Sequence, residues 1–255
     1  MDRDCGLNLT SILLVEDEPT TGSWNMAVDD ALLDSVLPEQ TAILRLYRWT
    51  PACLSLGYFQ ASEKRESHPS SKKSDCVRRA SGGGAILHDQ ELTYSFLFST
   101  REMTNAQING VYDLIHDSLI NVFKTLDIPA IKCVDPPKTD REQEPFLCFL
   151  RRSPGDVLLK NAKIVGSAQR RNKTQVLQHG SILLKQSNLA PELPGILELC
   201  NIDLDSLNWV GKWLEELKSI FQCQLSNYSL THEQLKHAHK IEARRFLNPD
   251  WLLKR

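Results

Sequence analysis

The sequence predicts an α+β fold, a single domain whose mixed, largely antiparallel sheet is flanked by helices. Three observations point there. Short apolar runs separated by turn signals recur over 92–99, 156–160, 163–171 and 175–184, and read as a meander of antiparallel strands. Residues 105–126 repeat Ile108, Val111, Ile115, Leu119, Val122 and Leu126 at the period of an amphipathic helix. From about residue 191 onward the periodicity is helical again. A chain of 255 residues can bury a sizeable core, and residues 1–255 read as one domain, with about 205–255 a helical C-terminal extension.

Taken in order, residues 11–15 form a strand ended by Glu16, Asp17, Glu18 and Pro19. A helix follows in which Trp24, Ala27, Val28, Ala31, Leu32 and Val36 share one face; Thr21 or Ser23 can cap it, and Pro38 marks its exit. That stripe reads as core. Residues 42–49 and 53–59 read as two strands about a turn at Thr50 and Pro51, and the polar run 62–75 as a mobile surface loop. Pro129 stops the long helix, 131–134 is a short strand containing Cys133, and 135–145 is a proline-rich, charged linker. Strands 156–160 and 163–171 join at Asn161 and Ala162, and a turn at Asn172, Lys173 and Thr174 leads into 175–184. Helices are expected over 191–200, 207–221 and 231–246, the last with Thr231 and Gln234 as a capping box, and Trp251 is placed to pack the tail onto the body.

The chain is organised around 78–95, RRASGGGAILHDQELTYS. Gly82, Gly83 and Gly84 can take positive φ without a Cβ penalty and let a ligand approach the main chain. The ordinary alternative is a hairpin whose turn needs glycine. No Gly-Lys-Ser/Thr closes the loop, and the spacing is not that of a dinucleotide fingerprint. A second block, 159–184, reads LKNAKIVGSAQRRNKTQVLQHGSILL.

Together these blocks resemble the lipoate-protein ligase and octanoyltransferase branch of the biotin/lipoate protein ligase superfamily, from about Trp24 to the C-terminus. The resemblance implies that superfamily's catalytic-domain fold. It also implies that the segment 48–60, RWTPACLSLGYFQ, helps wall an acyl pocket. Lys163 sits where the superfamily carries its one lysine that contacts the activated acyl group. Cys148, fifteen residues earlier, resembles the cysteine that accepts the acyl chain in carrier-protein-dependent octanoyltransferases. Arg79, Ser81, Gly82, Gly83, Gly84, His88, Gly166, Ser167 and His179 match motif positions implied to bind substrate.

The chemistry suits these residues. A free thiol, with a pKa of about 8.5, is a few per cent thiolate at neutral pH, and a nearby ammonium favours the nucleophilic form. The implied reaction is transfer of an octanoyl group from acyl carrier protein to a lysine of a lipoyl-carrier protein through a Cys148 thioester. The acceptor would be a glycine cleavage H protein or the lipoyl domain of a dehydrogenase complex, and no cofactor is needed. An ATP-dependent lipoate-protein ligase, using ATP and magnesium, is the alternative. Gly84 departs from the transferase arginine expected there and matches the ligase loop, whereas the chain after Tyr228 is too short for the ligases' extra domain. A third reading is an inactive family member that only binds acyl ligand or partner protein.

Composition narrows the classes further. A net charge of −2 gives no global attraction to nucleic acid, and seven cysteines without a Cys-x-x-Cys suggest reduced thiols rather than a disulfide framework. The polar, acidic N-terminus lacks a signal-peptide layout and no apolar run reaches a membrane span, so a cytoplasmic protein without membrane contact is expected. His232, His237 and His239 have no cysteine or carboxylate at ligand spacing, and no metal site is assigned.

Overall fold

Strands β1 (Ser11–Glu16) and β2 (Thr41–Tyr47) are paired parallel neighbours joined through the crossover helix α1 (Gly22–Asp34), the kind of connection a parallel pair needs. The structure, a computed structural model, describes residues 6–101, 103–137 and 144–254. After β2 come β3 (Cys53–Leu56), β4 (Asp75–Arg78), β5 (Ile86–His88), β6 (Glu91–Ser99), helix α2 (Asn105–Lys124) and β7 (Ile131–Lys132). Then follow β8 (Val157–Leu159), β9 (Ala162–Arg171), β10 (Gln175–Leu183), α3 (Ile196–Cys200), α4 (Trp209–Phe221), β11 (Gln224–Asn227), α5 (His232–Ile241) and α6 (Pro249–Leu252). The main sheet has eight strands in the order β11-β1-β2-β6-β10-β9-β8-β7, and β4-β3-β5 form a smaller one. Within the main sheet β11, β1 and β2 are parallel, and every pair from β2 to β7 is antiparallel. The expected mixed, largely antiparallel sheet flanked by helices is what the chain forms.

Alternation along the strands separates two cores. Tyr94, Phe96 and Phe98 of β6, with Leu44 and Leu46 of β2, face α2 and α4, burying Ile115, Leu119, Phe123 and Trp213. On the other face Ile43, Tyr47, Leu97 and Leu177 pack against Met26, Val28, Ala31 and Leu32 of α1, with Ala238 and Ile241 of α5 behind. Thr104 and Gln107 close a capping box on α2, and Thr231 and Gln234 close the expected one on α5. Among the described residues no helix is long and apolar enough to cross a membrane.

Several elements differ from expectation. The run 62–75 holds two short 3₁₀ turns, Ser62–Ser67 and Pro69–Lys73, tied by Arg65 to the carbonyls of Ser71, Lys72 and Ser74. Helix α1 stops at Asp34, which leaves Val36 87% exposed instead of in the buried stripe. Only Ile196–Cys200 of the stretch 191–200 is helical, α5 gives way to a π turn at Glu242–Phe246, and β11 arises from residues with no strand pattern because the edge of β1 supplies its partners. The β8–β9 turn lies at Lys160 and Asn161, both at positive φ, one residue before the expected place. Cys133 lies just past β7, its N–H on Asp156 O at 2.7 Å. The expected linker 135–145 lies partly outside the described residues.

The glycine loop is not a hairpin. β4 runs parallel to β3 and β5 antiparallel to it, on opposite sides, so residues 79–85 cross the end of β3. There a Cβ at Gly57 would run into the Gly83 carbonyl, which is why β3 ends at Leu56 rather than reaching Phe59. Arg78, fully buried, anchors the crossing: its guanidinium donates to the carbonyls of Gly57 (2.9 Å), Gln60 (2.6 Å) and Leu252 (2.7 and 2.9 Å), and Trp251 Nε1 donates to Arg78 O at 2.8 Å. The closing tryptophan packs on the body as expected.

Candidate active site

The glycine loop and residues 146–148 make one side of the site. Ala85 N–H donates to Phe146 O (3.0 Å) and Cys148 N–H to Ala85 O (2.7 Å), so Cys148, at the start of the 3₁₀ turn Cys148–Leu150, is fixed to the residue that follows the glycines. Gly83 alone of the three takes positive φ, +94°, and a Cβ there would stand 3.1 Å from Arg79 Nη2 and 3.8 Å from Cys148 Sγ. At Gly84 the space beside the backbone is filled by the Arg151 guanidinium, 2.8 Å from where a Cβ would lie. Arg79 is buried and holds the loop from within, donating through Nη1 to Ser55 O and Oγ and through Nη2 to Gly82 O and Gly84 O. Four of its five N–H groups are thereby used, and Nε has no partner among the described residues. Burial pulls this guanidinium down to about 10, with Cys148 nearby acting in the opposite direction.

Strand β9 makes the other side. Lys163 Nζ lies 4.0 Å from Cys148 Sγ, 2.9 Å from Asp156 Oδ2 and 5.4 Å from the centre of the Phe149 ring. Gly166 makes room for this lysine, since a Cβ would collide with Lys163 Cε. Asp156 is 1% exposed and receives Ser153 N–H at 2.7 Å; burial holds its carboxyl above the ordinary carboxylate value despite the Lys163 charge.

The other expected positions come to the same place with their polar atoms engaged. His88 stacks on Trp49 at 3.8 Å, with Nδ1 2.6 Å from Glu91 Oε1 and Nε2 2.7 Å from Ser55 Oγ. His179 Nε2 lies 2.6 Å from Ser81 Oγ, and its Nδ1 is 3.7 Å from Asp29. Ser167 Oγ is 2.6 Å from both His116 Nε2 and Tyr94 Oη. Asp156, Asp29, His116 and Tyr112 were missed in the sequence, although the paired Asp29 and Asp30 inside an apolar helical run, and the i,i+4 pair of Tyr112 and His116 on α2, were available signals.

Two spaces meet at these residues. A mainly apolar cavity of about 230 Å³ reaches inward to Met26, Tyr47, Trp49, Thr93 and His179. An open groove of about 1180 Å³ runs outward past Phe59, Lys64, Leu150, Arg151 and Arg152. Gly83, Cys148, Ser153 and Lys163 line both, so the thiol and the ammonium stand at the neck between an apolar chamber and the surface groove.

Residues 21–219 match the family described as the lipoyl protein ligase A/B catalytic domain. The chain belongs to this family. Within it, the chain is 31% identical over 270 residues to the octanoyltransferase LipM of Bacillus subtilis, covering 91% of this chain and 94% of that protein. It is 38% identical over 170 residues to the LipM octanoyltransferase of Staphylococcus aureus, covering 63% and 61%. In fold, this lipoyl ligase A/B-family chain superposes on a lipoate-protein ligase A bound with ATP with a TM-score of 0.76 at 19% identity, covering 96% and 98% of the two chains. A bipartite lipoate protein ligase from Thermoplasma acidophilum, described with its E2 lipoyl domain, gives 0.74 at 18% identity, covering 96% of each.

Proposed function

We propose that this protein is an octanoyltransferase that moves an octanoyl group from acyl carrier protein to a lysine of a lipoyl-carrier protein, through a thioester on Cys148. The octanoyltransferases among its relatives support the reaction class, and one observation carries the mechanism: a thiol 4.0 Å from a buried ammonium at the mouth of an apolar chamber. The acyl chain enters the chamber and the carrier's arm lies in the groove. The Cys148 thiolate attacks the donor carbonyl; the new carbon–sulfur bond forms as the donor's breaks, and the released carrier thiolate takes a proton. Lys163 stands at the neck, where negative charge develops on the carbonyl oxygen. In the second half the acceptor amine attacks the same carbon, the carbon–nitrogen bond replaces the bond to Cys148, the amine loses a proton to water and the thiolate returns. Thioester to thioester to amide needs no ATP.

The ligase alternative drew on Gly84, and Arg151 accounts for that glycine by occupying the space beside it. Incubation with octanoyl carrier protein alone is expected to add one octanoyl group to the intact mass, and a lipoyl domain to remove it. Cys148→Ala should show neither change, while Cys223→Ala should show both. Transfer by Cys148→Ala at the parent rate, or activity only with ATP and free octanoate, would replace this reading with the ligase one.

A further inference from the structure

His116 of α2 is fully buried behind the site, and the bonds around it have only one consistent direction. Its Nδ1 lies 2.6 Å from Gly155 O, and its Nε2 2.6 Å from Ser167 Oγ. Ser167 Oγ lies 2.6 Å from Tyr94 Oη, which receives Gln178 Nε2 at 3.2 Å; Gln169 Nε2 in turn donates to Gln178 Oε1 at 3.2 Å and fixes that amide. A carbonyl only accepts, so the proton at the first contact sits on Nδ1. In a neutral imidazole Nε2 is then bare, and Ser167 must donate to it. With its proton used, Ser167 accepts from the Tyr94 hydroxyl, whose oxygen accepts from Gln178. The chain begins at an amide donor and ends at a carbonyl acceptor, so both ends require the same polarity. Burial takes His116 down to about 4, with Lys163 and Lys132 adding to the effect, and takes Tyr94 up to about 12, so both hold the protons this polarity demands.

The carbonyl at the end belongs to the residue before Asp156. Gly155 stands at φ +90°, its N–H on Cys133 O at 2.8 Å, and a Cβ there would meet the Tyr112 ring at 2.8 Å. Cys133 holds this turn on the outside, and His116 adds a tie from it to Ser167 of β9, beside the ion pair of Asp156 with Lys163. We propose that His116 is the positioning residue of the site: as a neutral imidazole protonated on Nδ1, it fastens the turn of Gly155 and Asp156 to Ser167 and so keeps Asp156, Lys163 and Cys148 in line. The role rests on Cys148 being the reacting thiol, as the octanoyltransferase reading has it.

The test has three arms. Nitrogen NMR of the parent protein between about pH 6 and 8 should show His116 with Nδ1 protonated and Nε2 bare; a proton on Nε2, or an imidazolium in that range, overturns the proposal. His116→Asn keeps a donor where Nδ1 was, His116→Gln keeps reach only toward Ser167, and His116→Phe keeps neither. Iodoacetamide labelling of Cys148 at neutral pH, read by peptide mass, and single-turnover acylation should stay within about threefold in Asn. In Gln and Phe both should fall about tenfold or more, with donor KM nearly unchanged, as misplacement of a reacting group predicts. Equal rates in Phe and parent, or equal losses in all three that track their melting temperatures, reduce His116 to core packing. Because alkylation and the tautomer need no acyl donor, a parent protein that labels as expected but is never acylated would count against the octanoyltransferase reading and leave the positioning role standing.

Discussion

Two buried aspartates, one on helix α1 and one just before β8, each stand beside a buried cation, and they are held in opposite ways. Asp29 of α1 is gripped by Arg45 Nη1 and Tyr47 Oη, both at 2.8 Å, and by Ser95 Oγ at 3.0 Å; Arg45 is further tied to Asp17 and Asn25. Burial works against its charge, yet His179, Arg45 and Tyr47 outweigh burial and hold the carboxyl below the ordinary value. Asp156 has Lys163 and one backbone N–H, and burial wins. A carboxylate with that many donors is a structural fixture. One that depends on a single lysine makes the lysine's placement, and therefore the field at Cys148, sensitive to small changes.

The comparison can be broken by removing each charge in turn. Asp29→Asn leaves Arg45 buried without its main partner and should cost about 3–5 kcal/mol of stability, read by chemical denaturation, with acylation by the surviving folded protein little altered. A loss below about 1 kcal/mol would deny it the structural role. pH separates the two sides next. His116 refuses a proton in the folded state until about pH 4, whereas the unfolded chain takes one near 6.5, so stability falls as pH drops through that window, by about 3 kcal/mol in total. Asp156, whose folded carboxyl is raised, acts in the opposite sense above its ordinary value, and Asp29, whose carboxyl is lowered, loses its contribution only below the ordinary carboxylate range. The decisive quantity is therefore the difference between parent and His116→Phe, which should flatten between about pH 6.5 and 4 in the variant.

On the other side, Lys163→Ala and Asp156→Asn should each slow Cys148 acylation roughly 10²-fold, about 2.7 kcal/mol, by removing or misplacing the charge that stabilises developing anion. Rates within a factor of about two of the parent would take the pair out of the mechanism. The smallest effect belongs to an exposed pair: Arg48 and Asp205, 2.8 Å apart with side chains 37% and 39% exposed, should give less than about 1 kcal/mol on Arg48→Gln, screened further by salt.

How far the sequence revealed this arrangement depends on where each partner lies. Helix α2 was legible because its stripe is local and its capping residues are adjacent, and the main sheet because turn residues separate alternating runs. Cys148 and Lys163 stood out through motif spacing, and a strand, a type I′ turn and a 3₁₀ turn bring them to 4.0 Å. Their supports were hidden. His116 sits beside Ile115 in the helical pattern and reads as core until Gly155 and Ser167, 39 and 51 residues away, close on it. Asp29 similarly takes its donors from β2, β6 and β10. Strand β11 was illegible for the same reason, since its pairing comes from β1, more than two hundred residues earlier.

The anchoring of Arg78 sets an order of events during synthesis. Three of its guanidinium bonds end on the carbonyls of Trp251 and Leu252, and the Trp251 indole closes the ring on Arg78 O. The glycine loop, Cys148 and Lys163 have all left the ribosome long before those carbonyls exist. Until they arrive, a guanidinium destined for complete burial has no acceptors for those N–H groups, and burying it so would cost more than leaving it in water. The loop crossing can therefore lock only after Trp251 and Leu252 are made, so a nascent protein displaying its thiol holds the loop beside that thiol in an unfinished frame.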